Sequence, residues 1–290
     1  MTLYNLGSIN ADLFYHLPHL PQPGETLAAS DFTRGLGGKG ANMSVAAARA
    51  AARVVHIGAV GSDGAWASEQ LLEYGVDTRH IAKVDAATGH AIIMVDEAGE
   101  NSIILHPGAN HAISESALGT ALSEASTGDT LLMQNETLLQ PKAAKMAKDL
   151  GLRVTYAPAP FSEEAVKQLV GLIDMIVLNA VELAQLKSAG LGIESLGVNT
   201  LIVTQGAEGG EVYRWSNGFT VEGFSAPNVK AVDTTGAGDT FTGYLLAALD
   251  RGQPLMQAIN LATKAAALMV TRHGTADVIP DLKDVQDAGF

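Results

Sequence analysis

The sequence contains no cysteine, which excludes disulfides and thiolate metal sites. Basic residues are also scarce: 18 Lys and Arg stand against 31 Asp and Glu, for a net charge of −13. A surface of that sign argues against nucleic acid and anionic membranes as partners, because their phosphates need a basic face. An anionic substrate would have to be held by local devices such as helix N-termini. No apolar run reaches the ~18 residues of a membrane span, and residues 1–9 lack the basic-then-apolar order of a signal peptide. A soluble, cytoplasmic protein is the expectation. The eight histidines are scattered, and His16 and His19 flank Leu17 and Pro18 without sharing a helical face, so no metal-binding pattern results. The two tryptophans, Trp66 and Trp215, read as packing residues.

What is present points to a large core. Hydrophobic residues make up 47% and charged residues 17%, a balance that favours burial over disorder. The 290 residues exceed the ~100–200 of a common domain, but α/β folds often run longer as one unit. One domain over 1–290 with an appendage is therefore expected. An apolar strand at 3–9 ends in Asn10 and Asp12, followed by an excursion with Pro18, Pro21, Pro23 and Gly24 and a further strand at 25–32. A glycine cluster leads into a helix at 43–52. Next come a strand at 54–60, a helix at 65–74 and a hairpin from strands 91–95 and 102–105. The hairpin interrupts the strand-helix rhythm, so 89–106 and 13–36 are assigned to a small β-lid within the domain. Strands at 130–134, 153–157, 175–178 and 200–204 alternate with helices at 114–125, 139–150, 162–172 and 181–188. That alternation predicts an α/β fold, a mostly parallel sheet covered by helices on both faces. A strand pair at 211–215 and 219–224 and helices at 236–250 and 254–271 close the reading.

Residues 231–241 concentrate two carboxylates, two glycines and three hydroxyls at a predicted helix start, with Phe241, Leu245 and Leu249 at helical spacing behind them. Free N–H groups, the helix dipole and glycine's small size make such an end an anion site. Asp239 would stand beside that anion. A carboxylate is poorly suited to hold phosphate but well suited to take a proton from a hydroxyl attacking it. The bland alternative is a glycine-rich cap with Asp239 favourable to the dipole. Gly35, Gly37 and Gly40 form a G-x-G-x-x-G, but no apolar strand ends before them and no acid lies ~20 residues on, as a dinucleotide site requires. Gly40 after Lys39 also breaks the P-loop pattern. The cluster reads either as backbone approaching a small ligand, with Lys39 and Asn42 adding hydrogen bonds, or as a tight turn with a solvated lysine. Polar runs at 134–136, 179–182 and 204–210, with Asn10 and Asp12, mark one rim where strand carboxyl ends converge.

The runs Gly7-Ser8-Ile9-Asn10-Ala11-Asp12, Gly37-Gly38-Lys39-Gly40-Ala41-Asn42, Asn179-Ala180-Val181-Glu182 and 233–241 resemble the ribokinase family of PfkB-type carbohydrate kinases, across nearly the whole chain. The resemblance implies ATP-dependent phosphorylation of a primary hydroxyl on a sugar, with Asp239 as general base and Gly236, Ala237 and Gly238 supplying N–H groups to the phosphoryl. It places the nucleotide along Asn179, Thr204, Gln205, Gly206, Ala207, Glu208, Gly209, Gly238 and Thr263, and Mg²⁺ near Asn179 and Glu182, partly through water. Asn10, Asp12, Gly38, Lys39, Asn42, Glu136 and Asp239 would hold the sugar. This array favours D-ribose, giving ribose 5-phosphate, over fructose, a sugar acid or a nucleoside. A sugar or nucleotide sensor on the same fold is the non-enzyme alternative, against which the intact Asp239 and its glycines speak. An activating K⁺ would lie near Asp233, Thr235 and the carbonyls of Met269, Arg272 and Gly274, with Val278 where the family commonly offers a serine and Asp277 beside it. Thr263 replaces a residue that is often Asn or His. Lids of relatives pair between subunits, which implies a homodimer.

Overall fold

The computed structural model describes residues 1–215 and 218–290. The chain runs β1 (Thr2–Leu6), β2 (Asn10–Leu17), β3 (Asp31–Gly37), α1 (Lys39–Arg49), β4 (Arg53–Val60), α2 (Ala65–Glu73), β5 (Ile81–Lys83), β6 (Gly89–Asp96) and β7 (Asn101–His106). It continues with α3 (Glu115–Leu122), β8 (Thr130–Met133), α4 (Gln140–Asp149), β9 (Arg153–Tyr156), α5 (Glu163–Leu169), β10 (Met175–Asn179), α6 (Ala180–Ser188) and β11 (Thr200–Thr204). The last elements are β12 (Gly210–Arg214), β13 (Thr220–Phe224), α7 (Ala237–Asp250), α8 (Leu255–Met269) and α9 (Leu282–Asp287).

Nine strands form one sheet in the order β13-β12-β11-β10-β9-β8-β1-β4-β5. Its ladders are parallel from β5 to β11 and antiparallel at β12 and β13. All of β1 and β8 is buried, as expected of strands covered on both faces. One face packs against α1, α2, α7, α8 and α9 around Phe241, Tyr244, Leu245 and Ile259. The other packs against α3 to α6 around Leu118, Leu122, Ala144 and Leu169. This is the expected α/β architecture.

A second sheet, ordered β3-β2-β6-β7, joins β2 to β6 in parallel and carries β3 and β7 antiparallel at its edges. It corrects three expectations. The strand read at 3–9 stops at Leu6, and Asn10 and Asp12 belong to β2 rather than to a loop beyond a strand. Leu13, Phe14 and Tyr15 favour extended backbone, and the prolines that suggested an excursion begin only at Pro18. The strand read at 25–32 lies instead at Asp31–Gly37, where pairing from His16↔Asp31 to Asn10↔Gly37 overrides the poor strand propensity of two glycines. The helix read from 43 begins at Lys39. Two short elements, β5 and α9, gave too few periodic residues to be read.

Candidate active site

The links from β1 to β2 and from β3 to α1 lie beside the carboxyl ends of β8, β10 and β11, and the start of α7 faces them. Helix α7 follows Gly236, which has a φ of 78°. Ala237 N–H donates to the Thr234 carbonyl at 3.2 Å, while the amides of Gly236, Gly238 and Asp239 have no acceptor among the described residues. Thr240 donates its hydroxyl to Met269 Sδ at 2.7 Å, and Phe241, Tyr244 and Leu245 anchor the helix in the core. Open amides on an anchored helix make a fixed anion cradle. Asp239 is buried, and its Oδ2 accepts a hydrogen bond from Asn42 Nδ2 at 2.9 Å. Burial raises the Asp239 pKa, while the Lys39 charge and the Asn42 hydrogen bond hold it back. The Lys39 pKa is raised in turn, chiefly by Asp239. A basic carboxylate, a cation and a cradle of amides thus meet at one point.

The start of α1 is built differently. Lys39 N–H donates to Glu136 Oε2 at 3.1 Å, Gly40 N–H to Ser8 Oγ at 3.2 Å and Ala41 N–H to the Ser8 carbonyl at 2.8 Å. Ser8 Oγ also donates to Glu136 Oε2. These amides are therefore satisfied inside the protein, and α1 offers its side chains instead. Asn42 Oδ1 is buried without a partner, an acceptor that only a ligand or water would satisfy. Asp12 lies over Gly37, whose missing side chain leaves room for the carboxylate. Burial and the negative fields of Glu136 and Asp239 push its pKa up to about 7, against Lys39. Asn10 Oδ1 accepts from Asn110 Nδ2 at 2.8 Å.

A cavity of about 200 Å³ separates Lys39 and Asp239 from Asn179, Glu182 and Thr204, with Gly236 and Gly238 on its wall. Asn179 and Glu182 cap α6 reciprocally: Glu182 Oε2 accepts from Asn179 N–H and Asn179 Oδ1 from Glu182 N–H, both at 2.9 Å. One Glu182 carboxylate oxygen remains free, and burial raises that group's pKa. No cluster of three His, Asp or Glu suited to a metal occurs among the described residues. A single carboxylate oxygen beside an amide fits a Mg²⁺ held mainly by phosphate oxygens and water.

A second cavity of about 210 Å³ adjoins at Thr204 and Gly238. It is walled by Phe224, Phe241, Ala266 and Val270, with Gly206, Ala207, Gly209, Ala237 and Thr263 around them. Phe224 and Phe241 stack at 6.0 Å and 15°. Such a slot beside a helix N-terminus suits a flat heteroaromatic base. Thr263 turns its hydroxyl to the Ile259 carbonyl at 2.7 Å, so it offers its methyl group to the slot. Gln205 and Glu208 line an open groove with Asn179.

The proposed cation ligands are only partly brought together. Asp233 accepts from Thr235 N–H at 2.9 Å and from Gly274 N–H at 3.4 Å. Met269 places its methyl group beneath Gly236, and its carbonyl accepts from Arg272 N–H at 3.0 Å. The Arg272 side chain reaches Asp284 in α9. Ser8 and Asn110 are site neighbours that sequence reasoning missed. Ser8 stood within a quoted motif, but nothing in the sequence marks Asn110.

The chain matches the pfkB family of carbohydrate kinases over residues 3–282. It is 39% identical to a ribokinase of Haemophilus influenzae, with 96% of this chain and 95% of that protein covered. It is 30% identical to a deoxyribokinase of Salmonella typhimurium over 99% and 98%. The structure of an Arabidopsis thaliana ribokinase complexed with ribose and ATP aligns with a TM-score of 0.86 at 29% identity, over 98% and 97% of the two chains. The protein therefore belongs to the pfkB family of carbohydrate kinases and is a sugar kinase, a phosphotransferase with ATP as donor and an alcohol group as acceptor.

Proposed function

We propose that the protein phosphorylates the primary hydroxyl of D-ribose, giving ribose 5-phosphate. The observation that carries this reading is Asp239, buried and hydrogen-bonded to Asn42 beside the open first turn of α7. Asp239 takes the proton of the attacking hydroxyl, and Lys39 keeps the carboxylate ionised until it does. The free amides of α7 stabilise charge on the transferring phosphoryl, where they need no reorganisation. The base of ATP lies in the apolar slot at Phe224 and Phe241, and its phosphates run past Thr204 and Gly238. Glu182 and Asn179 would hold the water shell of a Mg²⁺, which would supply charge neutralisation to those phosphates. Asn10, Asp12, Gly38, Lys39, Asn42 and Glu136 bind the sugar hydroxyls, an array of donors and acceptors that suits a polyol. The second sheet closes over the sugar as a lid and keeps water from competing as acceptor. Phe32, Ile103, Ile104 and Leu105 are exposed on it, which supports pairing of two copies through this sheet. A K⁺ would be held by oxygens of Asp233, Thr235 and the carbonyls at Met269, Arg272 and Gly274, of which Asp233, Thr235 and Gly274 are drawn together by hydrogen bonds.

The test is sugar-dependent ADP release over ribose, 2-deoxyribose, fructose, sugar acids and nucleosides, with K⁺ or a large inert cation. Ribose with K⁺ is expected to give the highest kcat/KM. Preference for 2-deoxyribose, as in the Salmonella relative's name, would replace the substrate, and absence of ADP release with every sugar would remove the activity. Equal rates without K⁺ would remove the cation.

A further inference from the structure

We propose that Asn110 is a positioning residue that sets the polarity of the sugar site: it holds the Asn10 amide with its NH₂ group outward, so that Asn10 donates to a sugar oxygen. This rests on the sugar-kinase reading and adds to it a residue from outside the sugar-binding runs.

The two ends of an amide side chain are nearly isosteric, so only neighbours decide which end faces a ligand. Asn110 is buried, at 1% exposure, in the turn after β7. Its Oδ1 accepts from the backbone N–H of Ile9 at 2.8 Å. A backbone N–H can only donate, so Asn110 is held with its Nδ2 on the other side. That Nδ2 donates to Asn10 Oδ1 at 2.8 Å. Asn10 is left with its own Nδ2 as the free group, without a protein acceptor among the described residues. Orientation is thus passed from a fixed backbone donor through two amides to the site. Asn42 receives the opposite setting. Asp239 accepts from its Nδ2, which leaves Oδ1 as the free group. One amide presents a donor and the other an acceptor.

Gly89, at the start of β6, supports the pairing. A Cβ there would stand 2.2 Å from Asn110 Nδ2 and 2.6 Å from Asn10 Oδ1. The hydrogen bond between the two amides lies directly over the missing side chain, so Gly89→Ala would wedge them apart.

Asn110→Asp keeps the shape and the acceptor for Ile9 but replaces the donor with an acceptor, which turns the Asn10 amino group inward. The expected result is a rise in the sugar KM of about tenfold or more, with kcat little changed and the ATP KM unchanged. Asn10→Ala with Asn110→Asp should be no worse than Asn10→Ala alone, because the second residue acts through the first. Calorimetric titration of the sugar should show the same loss of affinity without turnover. Gly89→Ala gives the same split and serves if Asn110→Asp does not fold. A wild-type sugar KM in either variant, multiplicative effects in the double variant, or a parallel rise in the ATP KM would overturn the proposal. The measurements use whichever sugar the wild-type chain takes best, so failure with ribose alone removes the ribose assignment and not Asn110. Failure of the wild-type chain to bind any sugar would remove both.

Discussion

Helices α1 and α7 both follow a glycine at positive φ, 91° at Gly38 and 78° at Gly236, and both lie in glycine-rich runs beside the same cavity. At α1 the first amides end on Ser8 and Glu136, and the Glu136 carboxylate already sits on the positive end of the dipole. That start cannot take another anion. At α7 three amides have no acceptor among the described residues, and the one acid of the first turn, Asp239, is bound to Asn42 instead of capping its own helix. A glycine-led helix start becomes an anion site only when the rest of the fold leaves its N–H groups unpaired. The difference supports the proposed division of labour, with phosphate at α7 and sugar at the side chains of α1.

The largest effect should come from the acid at the open start. Asp239→Asn removes the proposed base and is expected to lower kcat by roughly 10³ or more, near the upper range for acid-base groups. ATP affinity, which the proposal places in the apolar slot at Phe224 and Phe241, should survive in calorimetry. Retention of most turnover would end the distinction between the two starts, because Asp239 would then be only a helix residue.

Asp12 is buried and feels the carboxylates of both starts, and its behaviour with pH measures that burial first and their negative fields second. Its displacement from 3.8 to about 7 sets an upper bound of about 4 kcal/mol. The folded state keeps a proton on Asp12 between pH 4 and 7 that the unfolded chain has lost, so this group lowers stability as pH rises through that window. Asp12→Asn should therefore unfold with the wild type near pH 4, gain on it up to about pH 7 and keep a constant lead above, while binding sugar poorly. Thermal unfolding from pH 4 to 8 checks this, and a difference that stays flat would mean that neither burial nor the neighbouring carboxylates hold a proton on Asp12.

A matched pair of substitutions separates the starts sterically. A Cβ on Gly238 meets nothing within 4 Å, whereas one on Gly40 would stand 2.3 Å from Ser8 N. Gly238→Ala should fold with unchanged melting temperature and lose kcat, because its methyl group occupies the space an anion would approach. Gly40→Ala should lose about 1–3 kcal/mol of stability. A stable Gly40→Ala or an unfolded Gly238→Ala would reverse the comparison.

The open start could be read from sequence because everything it needs is local: Gly236, Gly238, Asp239 and the apolar spacing of Phe241 and Leu245 lie within one segment. The parallel sheet was legible for the same reason, in runs such as Val54 to Val60. The closed start was not, because its partners are remote. Ser8 meets Glu136 across 128 residues, Asn42 meets Asp239 across 197, and Asn110 meets Asn10 across 100. Local propensity also misplaced β3, whose glycines extend only because β2 lies alongside.

The smallest expected effect tests the closed start itself. Ser8 is fully buried; its hydroxyl accepts from Gly40 N–H and donates to Glu136. Ser8→Ala removes one cap of α1, which costs about 1 kcal/mol in comparable caps, and leaves Glu136 with Lys39 N–H as its remaining partner here. For a chain of this length that is a fall in melting temperature of about 2–4 °C or less. Glu136 is then held by one hydrogen bond in place of two, so the sugar KM should rise a few-fold while the ATP KM and kcat stay near the wild-type values. The split follows from the geometry, since among the described residues no hydrogen bond joins Ser8 to α7. A fall in kcat larger than the rise in sugar KM would mean that the α1 cap also positions Asp239, through Asn42, and that the two helix starts work as one unit.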